Sequence, residues 1–432
     1  MDKDGVMRLE LSNVGKLNSV DIELNGITVV AGENDTGKST IGKMLYCIFH
    51  SFYKIKDQIK DEQVKSISRI LNTFYLENSR PIFGVSDIRP LALQLVENKS
   101  ILIQDRDRLI KEIKYFFNIE NKGNFRCSTE EDIEKIAKRI SGFLEFEDKE
   151  IQEILLRKRL NAEFAMKIGH LNNTNQKTTV KLHIKNEEIF FEVDGNEEIQ
   201  ILDYMDLNKE IIYIDDPFAL DELNQFRYNV FLDSYGHRQD LLKKLSNDKM
   251  AEDFSVVDEL VVQKRIEKIL GKMQEICDGD IVEENGEFVF RNALLNGNLK
   301  MVNLSTGLKS FVILKRLLRT GKIDENGIII LDEPEIHLHP EWQLKFAEII
   351  ILLQKEFKLN ILLNTHSPYF LNAIEAYAKK YNRKDICKFY LSDEKDGNTK
   401  IFDVTNETEK IYAKLAKPLQ ELENLEYGDT II

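Results

Sequence analysis

Alternating apolar and polar positions open the chain. Residues 7–11, 19–24 and 26–31 each read as a short strand. Asn25-Gly26 predicts a hairpin turn between the last two. The spacing then turns helical, with Ile41, Met44, Leu45 and Ile48 on one face. From 52 to 170 the pattern stays mostly helical and rich in Lys, Glu and Ile. Pro81, Gly84 and Pro90 interrupt it, which argues for a compact helical lobe over one long coiled coil. Alternation returns at Val180, Leu182, Ile184 and at Ile189, Phe191, Val193, with turn residues at Asn186 and Asp194-Gly195. A strand over 211–214 runs into Asp215-Asp216-Pro217, a second helical stretch covers 218–277, and a hairpin turns at Asn285-Gly286. Beyond 300, helix 305–320, strand 328–331, helix 340–356 and strand 360–364 alternate. Such alternation predicts an α/β fold with a mostly parallel sheet.

The strand at 26–31 is expected to join that same sheet, so the segments between are insertions into one core. The predicted organisation is a core in two halves, 1–50 and 280–385, an inserted helical lobe over 51–177, a β region over 178–217 and a second helical region over 218–279. A short αβ extension over 386–432 completes it, with strands at 389–391 and 400–404 and a helix from Glu407.

Bulk composition narrows the class. At 432 residues the length prior is roughly three ordinary domains or one core with large insertions. The four cysteines (Cys47, Cys127, Cys277, Cys387) form no C-x-x-C pair, which argues against a zinc ribbon or a disulfide framework and for reduced buried thiols. The N-terminus, Met1-Asp2-Lys3-Asp4-Gly5, has no hydrophobic signal region, and no apolar run is long enough to span a bilayer. The expectation is a soluble, cytoplasmic protein without a membrane partner. A net charge of −14 opposes non-specific nucleic-acid binding. Basic clusters at Lys135, Lys138, Arg139 and at Arg157-Lys158-Arg159 leave open a local nucleic-acid patch or a solvated helix face.

The most informative segment is Gly32-Glu33-Asn34-Asp35-Thr36-Gly37-Lys38-Ser39-Thr40, which reads G-x-x-x-x-G-K-[ST] between a predicted strand and a predicted helix. Gly32 and Gly37 allow the tight turn that aims backbone N–H groups at phosphate. The helix N-terminus adds partial positive charge. Lys38 is expected to reach β- and γ-phosphates, and Ser39 to bind Mg²⁺.

Three other segments complete a set. The run Ile328-Ile329-Ile330-Leu331 ends in Asp332-Glu333-Pro334. Carboxylates at the C-terminal end of a buried strand fit the ligand crevice of an α/β sheet. Asp332 suits Mg²⁺ through water, and Glu333 suits a general base on the attacking water. Leu304-Ser305-Thr306-Gly307-Leu308-Lys309 opens a helix capped by Ser305, whose small tip is a second phosphate-binding surface. Strand 360–363 ends in Asn364-Thr365-His366-Ser367-Pro368, where His366 can bond a γ-phosphate oxygen and help place the water. His337 and His339 lack a third ligand at motif spacing, and His50, His170, His183 and His237 form no nuclease-like pattern.

Cradle, capped helix, D-E-P strand and strand-end histidine, in that order, resemble the motif set of ABC-type ATPases. The chain is similar to the branch with OLD-family ATPases, RecF and SMC heads. It opens strand–strand–G-x-N-x-x-G-K-S, reads L-S-T-G-L-K at the capped helix, and continues Asp332-Glu333-Pro334-Glu335-Ile336-His337-Leu338-His339-Pro340 in the D-E-P-E-x-x-L-H-P manner of OLD-like proteins. The resemblance covers about 1–50 and 280–385. It implies an ABC-type P-loop head with a mixed central sheet, inserted helical lobes and a small antiparallel β region. It also implies two heads joined head-to-tail around ATP and Mg²⁺. Gly32, Asn34, Asp35, Thr36, Gly37, Lys38, Ser39 and Thr40 of one copy, with Asp332, Glu333 and His366, would face Ser305 and Gly307 of the other. The transporter family of ABC-type ATPases places a metal-touching glutamine after a core strand. The matching place here, Asp215-Asp216-Pro217, carries none.

Only about 45 residues follow the core, less than a usual domain, so no nuclease domain of the OLD kind is expected. The chain resembles stand-alone ATPase subunits of anti-phage systems such as Septu. That resemblance implies an ATP-driven sensor or gate for a separate nuclease or toxin. A RecF-like DNA repair ATPase is the first alternative, marked by salt-dependent duplex binding. An ATP-binding scaffold with negligible turnover is the second.

Overall fold

The computed structural model describes residues 6–78, 88–120, 130–170, 176–228, 235–247, 256–292, 297–395, 397–418 and 422. Pro81, Gly84, Cys127 and the first five residues lie outside them. The chain divides into two compact units: residues 1–53 with 156–432, and residues 54–155.

The larger unit is built on an eleven-stranded mixed sheet. Its strands are β1 (Met7–Val14), β2 (Leu17–Leu24), β3 (Ile27–Gly32), β4 (Thr178–Ile184), β5 (Glu187–Val193), β6 (Ile199–Asp203) and β7 (Ile211–Ile214). A separate three-stranded antiparallel sheet holds β8 (Gly279–Glu284), β9 (Glu287–Asn292) and β10 (Asn298–Leu299). The main sheet resumes with β11 (Ile328–Asp332), β12 (Asn360–Thr365), β13 (Cys387–Lys395) and β14 (Asn398–Asp403), in the order β6-β5-β4-β1-β2-β14-β13-β3-β12-β11-β7.

The parallel centre is β13, β3, β12, β11 and β7. These strands are covered on both faces, which explains their unbroken apolar runs. In β11, Ile329 and Leu331 join one core with β3 residues Ile27 and Val29, while Ile328 and Ile330 join the other with Val30. Alternate side chains of one strand thus serve two cores. The second core takes Ile41, Met44, Leu45 and Ile48 of α1 (Lys38–Phe52), on the helical spacing expected. The first takes α11 (Thr306–Arg319), α12 (Pro340–Phe357) and α13 (Pro368–Lys380).

Two expectations are corrected here. Asn25-Gly26 does not join a hairpin, because β14 and β13 lie between β2 and β3. Gly26 does take the positive φ of +69° a turn residue would need, but its N–H bonds Asn360 Oδ1 and its carbonyl accepts from Ile361 N. The hairpin is β1–β2. Likewise 386–432 is no appendage, since β13 runs parallel beside β3 in the middle of the sheet. Its Cys387, Phe389 and Leu391 belong to the first core. The β8–β9 turn is as expected, with φ of +52° at Asn285 and +82° at Gly286, the values an Asn-Gly hairpin turn favours.

The smaller unit contains α2 (Ile55–Asn78), α3 (Arg89–Glu97), α4 (Lys99–Leu102), α5 (Arg106–Glu120) and α6 (Glu130–Leu144). It has its own core, including Ile67, Leu71, Leu95, Leu109 and Ile140. It is shorter than the expected 51–177 because α7 (Asp148–Phe164) gives Leu156 and Leu160 to the second core of the sheet. That helix also carries Arg157, Lys158 and Arg159. Arg157 pairs with Glu198, Lys158 donates to Tyr235 Oη at 3.1 Å, and Arg159 is buried. The larger unit further holds α8 (Leu223–Tyr228), α9 (His237–Ser246), α10 (Val256–Gln274) and α14 (Glu409–Leu415). Among the described residues, no helix is long and apolar enough to cross a membrane. Cys47, Cys277 and Cys387 are free and buried.

Candidate active site

The site forms where β3, β11 and β12 end. All three are parallel neighbours, so the loops leaving their C-terminal ends emerge together. β3 delivers the cradle. Gly37 sits in the left-handed region at φ +77°, and a Cβ there would lie 2.9 Å from Leu17 Cδ2. A Cβ on Gly32 would meet Ser392 O at 2.6 Å. Both positions therefore require glycine, Gly37 for its dihedral and both for space. Thr36 is buried, donates from Oγ1 to Glu33 O at 2.9 Å, and accepts from Ser392 Oγ on its own carbonyl at 2.8 Å. The β13 residue Ser392 thus buttresses the loop, which no local motif reveals. Asn34 and Asp35 are exposed, Asp35 paired with Lys16.

Lys38 opens α1 and is buried at 4% exposure. Its Nζ donates to Gly32 O at 3.1 Å and Glu33 O at 2.7 Å, and lies 3.6 Å from Glu333 Oε1. Burial pulls its pKa down, opposed by the charges of Glu333 and Asp332. Ser39 and Thr40 follow it, half-buried, in the first turn.

β11 delivers the carboxylates. Asp332 is buried. Its Oδ2 accepts from Tyr213 Oη at 2.9 Å and its Oδ1 from Asn364 Nδ2 at 2.9 Å. Glu333 breaks from the strand at φ +49°, a strained value for a non-glycine residue. Its N–H bonds Asn364 O at 3.0 Å, and its Oε1 stands 3.3 Å from His366 Nδ1. Lys38, Asp332, Glu333 and His366 are therefore brought together. Asn364 ties them, because its Nδ2 also donates to Lys38 O at 3.2 Å.

Three residues here were not singled out from sequence: Tyr213, Asn364 and Glu335. Glu335 is buried at 2% exposure, and burial raises its pKa. Its Oε1 accepts from Thr365 Oγ1 and from His366 N, so it holds the peptide that carries His366. Asp215 and Asp216, at the place of the missing glutamine, are occupied otherwise. Asp215 Oδ2 lies 2.9 Å from His237 Nε2, and Asp216 caps Phe218 N and pairs with Arg238. His237 Nδ1 meets Glu163 Oε2 at 2.7 Å. Burial opposes the His237 charge, but these carboxylates outweigh it and raise its pKa to about 9. His339 caps α12, and His337 packs edge-on against Phe218.

Ser305 and Gly307 stand at the start of α11. Ser305 is exposed at the N-cap of α11 and makes no side-chain cap bond. Gly307 is buried against the loop after β11, where a Cβ would lie 2.9 Å from His337 O. Among the described residues, no hydrogen bond or ion pair joins 305–307 to 32–40.

The donor set fits a nucleotide with a hard divalent cation. Asp332 offers carboxylate oxygens, Ser39 a first-turn hydroxyl, and Asn364 Oδ1 is buried next to Asp332 without a hydrogen-bond partner.

The family described as "AAA domain, putative AbiEii toxin, Type IV TA system" matches residues 27–372. The chain is 22% identical over 387 residues to the "Retron Vc95 probable ATPase" of Vibrio cholerae serotype O1 biovar El Tor, covering 80% of this chain and 67% of that protein. It is 28% identical over 154 residues to the Septu protein PtuA of Bacillus mycoides (strain KBAB4), covering 34% of this chain but 19% of that one. Among solved structures, an Smc head bound to the C-winged helix domain of ScpA matches with a TM-score of 0.45 and 13% identity, covering 94% of this chain and 99% of that chain. With a family match that spans most of its length, from the cradle strand past the strand-end histidine, the chain belongs to this family of AAA-domain ATPases.

Proposed function

We propose that the chain is a cytoplasmic ATP-binding and ATP-hydrolysing head that dimerises head-to-tail around ATP and Mg²⁺. In this reading it serves as sensor or gate for a separate effector, a nuclease or toxin, in prokaryotic anti-phage defence. The observation that carries the reading is the split of the phosphate-binding equipment. The cradle, Asp332, Glu333 and His366 converge on one place, while the open tip of α11 is bonded to none of the cradle residues. A helix tip with unused N–H groups suits a phosphate brought by another molecule.

The surface around that tip supports a second copy as the molecule. Val302, Ile336 and Phe218 are exposed apolar residues at 58%, 52% and 40%. They flank Ser305, the loop after β11 and the turn after β7. Phe218 touches His337, and Gly307 backs onto the same loop. Apolar residues rimming a polar site mark an association surface.

Within one site, Lys38 would bind the β- and γ-phosphates, Ser39 and Asp332 would hold Mg²⁺, and Glu333 would take a proton from water oriented with His366. Mg²⁺, when bound, would neutralise phosphate charge. ATP contacts made only in the closed pair favour closure, and hydrolysis removes them. The effector role rests on relatives among retron and Septu proteins and is an analogy of family.

Sedimentation in the presence of ATP and Mg²⁺ tests the reading. The wild-type chain is expected to shift from monomer to dimer. Ser305→Arg, which puts bulk on the exposed tip, is expected to stay monomeric while still binding ATP. A monomer with ATP in both proteins counts against the closed pair, and duplex DNA binding with stimulated turnover would move the reading to a repair ATPase.

A further inference from the structure

Asp332 is held in place by a stack of buried groups. Tyr213 lies in β7, in register with Ile330 of β11. Its ring is fully enclosed and its hydroxyl donates to Asp332 Oδ2 at 2.9 Å. There is no room for it elsewhere. A Cβ on Gly42, one turn after Lys38, would already be 3.3 Å from the Tyr213 hydroxyl, and Tyr46 closes another side at 6.2 Å between centroids. The face of the Tyr213 ring carries the His237 imidazole, 4.3 Å away and nearly parallel at 26°.

His237 is fixed from three directions. Its backbone N–H bonds Glu163 Oε1 at 2.6 Å, its Nδ1 meets Glu163 Oε2 at 2.7 Å, and its Nε2 meets Asp215 Oδ2 at 2.9 Å. Carboxylates beside both nitrogens favour the doubly protonated ring. The phenol therefore has a cation on its face. That attraction holds the ring in place and polarises the O–H toward its acceptor. Asp332 Oδ1 is tied in turn by Asn364. Both carboxylate oxygens are thus fixed by buried donors, Tyr213 on one and Asn364 on the other. Outer groups of this kind orient a ligand and tune its metal.

We propose that Tyr213 and His237 are positioning residues for the metal-holding carboxylate. His237, gripped by Glu163 and Asp215, fixes the phenol, and the phenol fixes Asp332. The assignment rests on the reading that Asp332 holds nucleotide-bound Mg²⁺. It gives Asp215 a role as well: in place of a metal-touching glutamine, it holds the imidazole that holds the phenol.

The test is equilibrium binding of a fluorescent ATP analogue across a Mg²⁺ titration, with no turnover needed. Asp332→Asn is expected to lose the Mg²⁺-dependent gain in affinity. Tyr213→Phe, which removes one oxygen and keeps the ring, is expected to raise the half-saturating Mg²⁺ concentration about tenfold. Its Mg²⁺-free affinity should be unchanged. His237→Gln should raise that concentration about threefold or more, and the double variant should be no worse than Tyr213→Phe alone, since both act along one path. Glu163→Gln is the substitute if His237→Gln does not fold. If Asp332→Asn loses the Mg²⁺ response while Tyr213→Phe matches wild type, the positioning role is overturned and the Asp332 reading stands. If Asp332→Asn keeps the response, both fall. Equal losses with and without Mg²⁺ in Tyr213→Phe overturn the proposal in favour of general destabilisation.

Discussion

Glu333→Gln is expected to bind ATP and almost stop hydrolysing it. The carboxylate stands 3.3 Å from His366 Nδ1 and 3.6 Å from Lys38 Nζ, at a strained turn directly after the buried Asp332. Glutamine keeps the shape and the hydrogen-bonding reach but cannot take a proton from water. Loss of a general base costs about 10²- to 10⁴-fold in rate. Phosphate release should drop by that order, while calorimetry finds ATP affinity within a few-fold of wild type. The same variant should accumulate as an ATP-bound dimer on size-exclusion chromatography, because contacts that hydrolysis normally removes persist. Unchanged turnover would take Glu333 out of the mechanism. A variant that loses ATP binding as well would make it a structural partner of Lys38.

Lys38→Ala is expected to fail one step earlier, at nucleotide binding. Lys38 is the buried cation among Asp332, Glu333 and the loop carbonyls. Without it a polyphosphate would meet two carboxylates, with Lys16 and Lys414 engaged on Asp35 and Glu33 of the loop. A hydrogen bond to a charged group contributes about 1.5–3 kcal/mol, which corresponds to roughly 10- to 150-fold in affinity. Calorimetry with ATP and Mg²⁺ reads this directly, and normal affinity would count against the cradle. The fold should survive, since the Lys38 backbone still opens α1 and its carbonyl still accepts from Asn364.

The chemistry is legible in the sequence wherever one short run carries it. Residues 32–40, 332–333 and 364–366 each stand out through local pattern: a turn that needs glycine, carboxylates at a strand end, a histidine at a strand end. What escapes is whatever depends on sheet order. Tyr213 and Asp332 are far apart along the chain and meet because β7 pairs with β11. A signal existed, since a tyrosine inside the aliphatic run Ile211-Ile212-Tyr213-Ile214 needs a partner for its hydroxyl. It named no partner. Asn25-Gly26 turns the chain but closes no hairpin, because the insertion of β13 and β14 is decided some 360 residues later in the chain, by packing. Ser392 and Glu335 escaped for the same reason. One braces the cradle from β13 and the other braces the His366 peptide from the loop after β11.

Mixing two inactive proteins asks the central question most directly: whether one copy's cradle works with the other copy's helix tip. Lys38→Ala and Ser305→Arg chains, each without turnover alone, are combined in equal amounts with ATP and Mg²⁺. If every pocket is shared between copies, a mixed pair has one intact pocket, built from the cradle of the Ser305→Arg chain and the tip of the Lys38→Ala chain, so turnover should return on mixing. If mixing restores nothing while each variant remains folded and able to pair with wild type, cradle and tip do not share a nucleotide across the pair, and the two-copy pocket is contradicted.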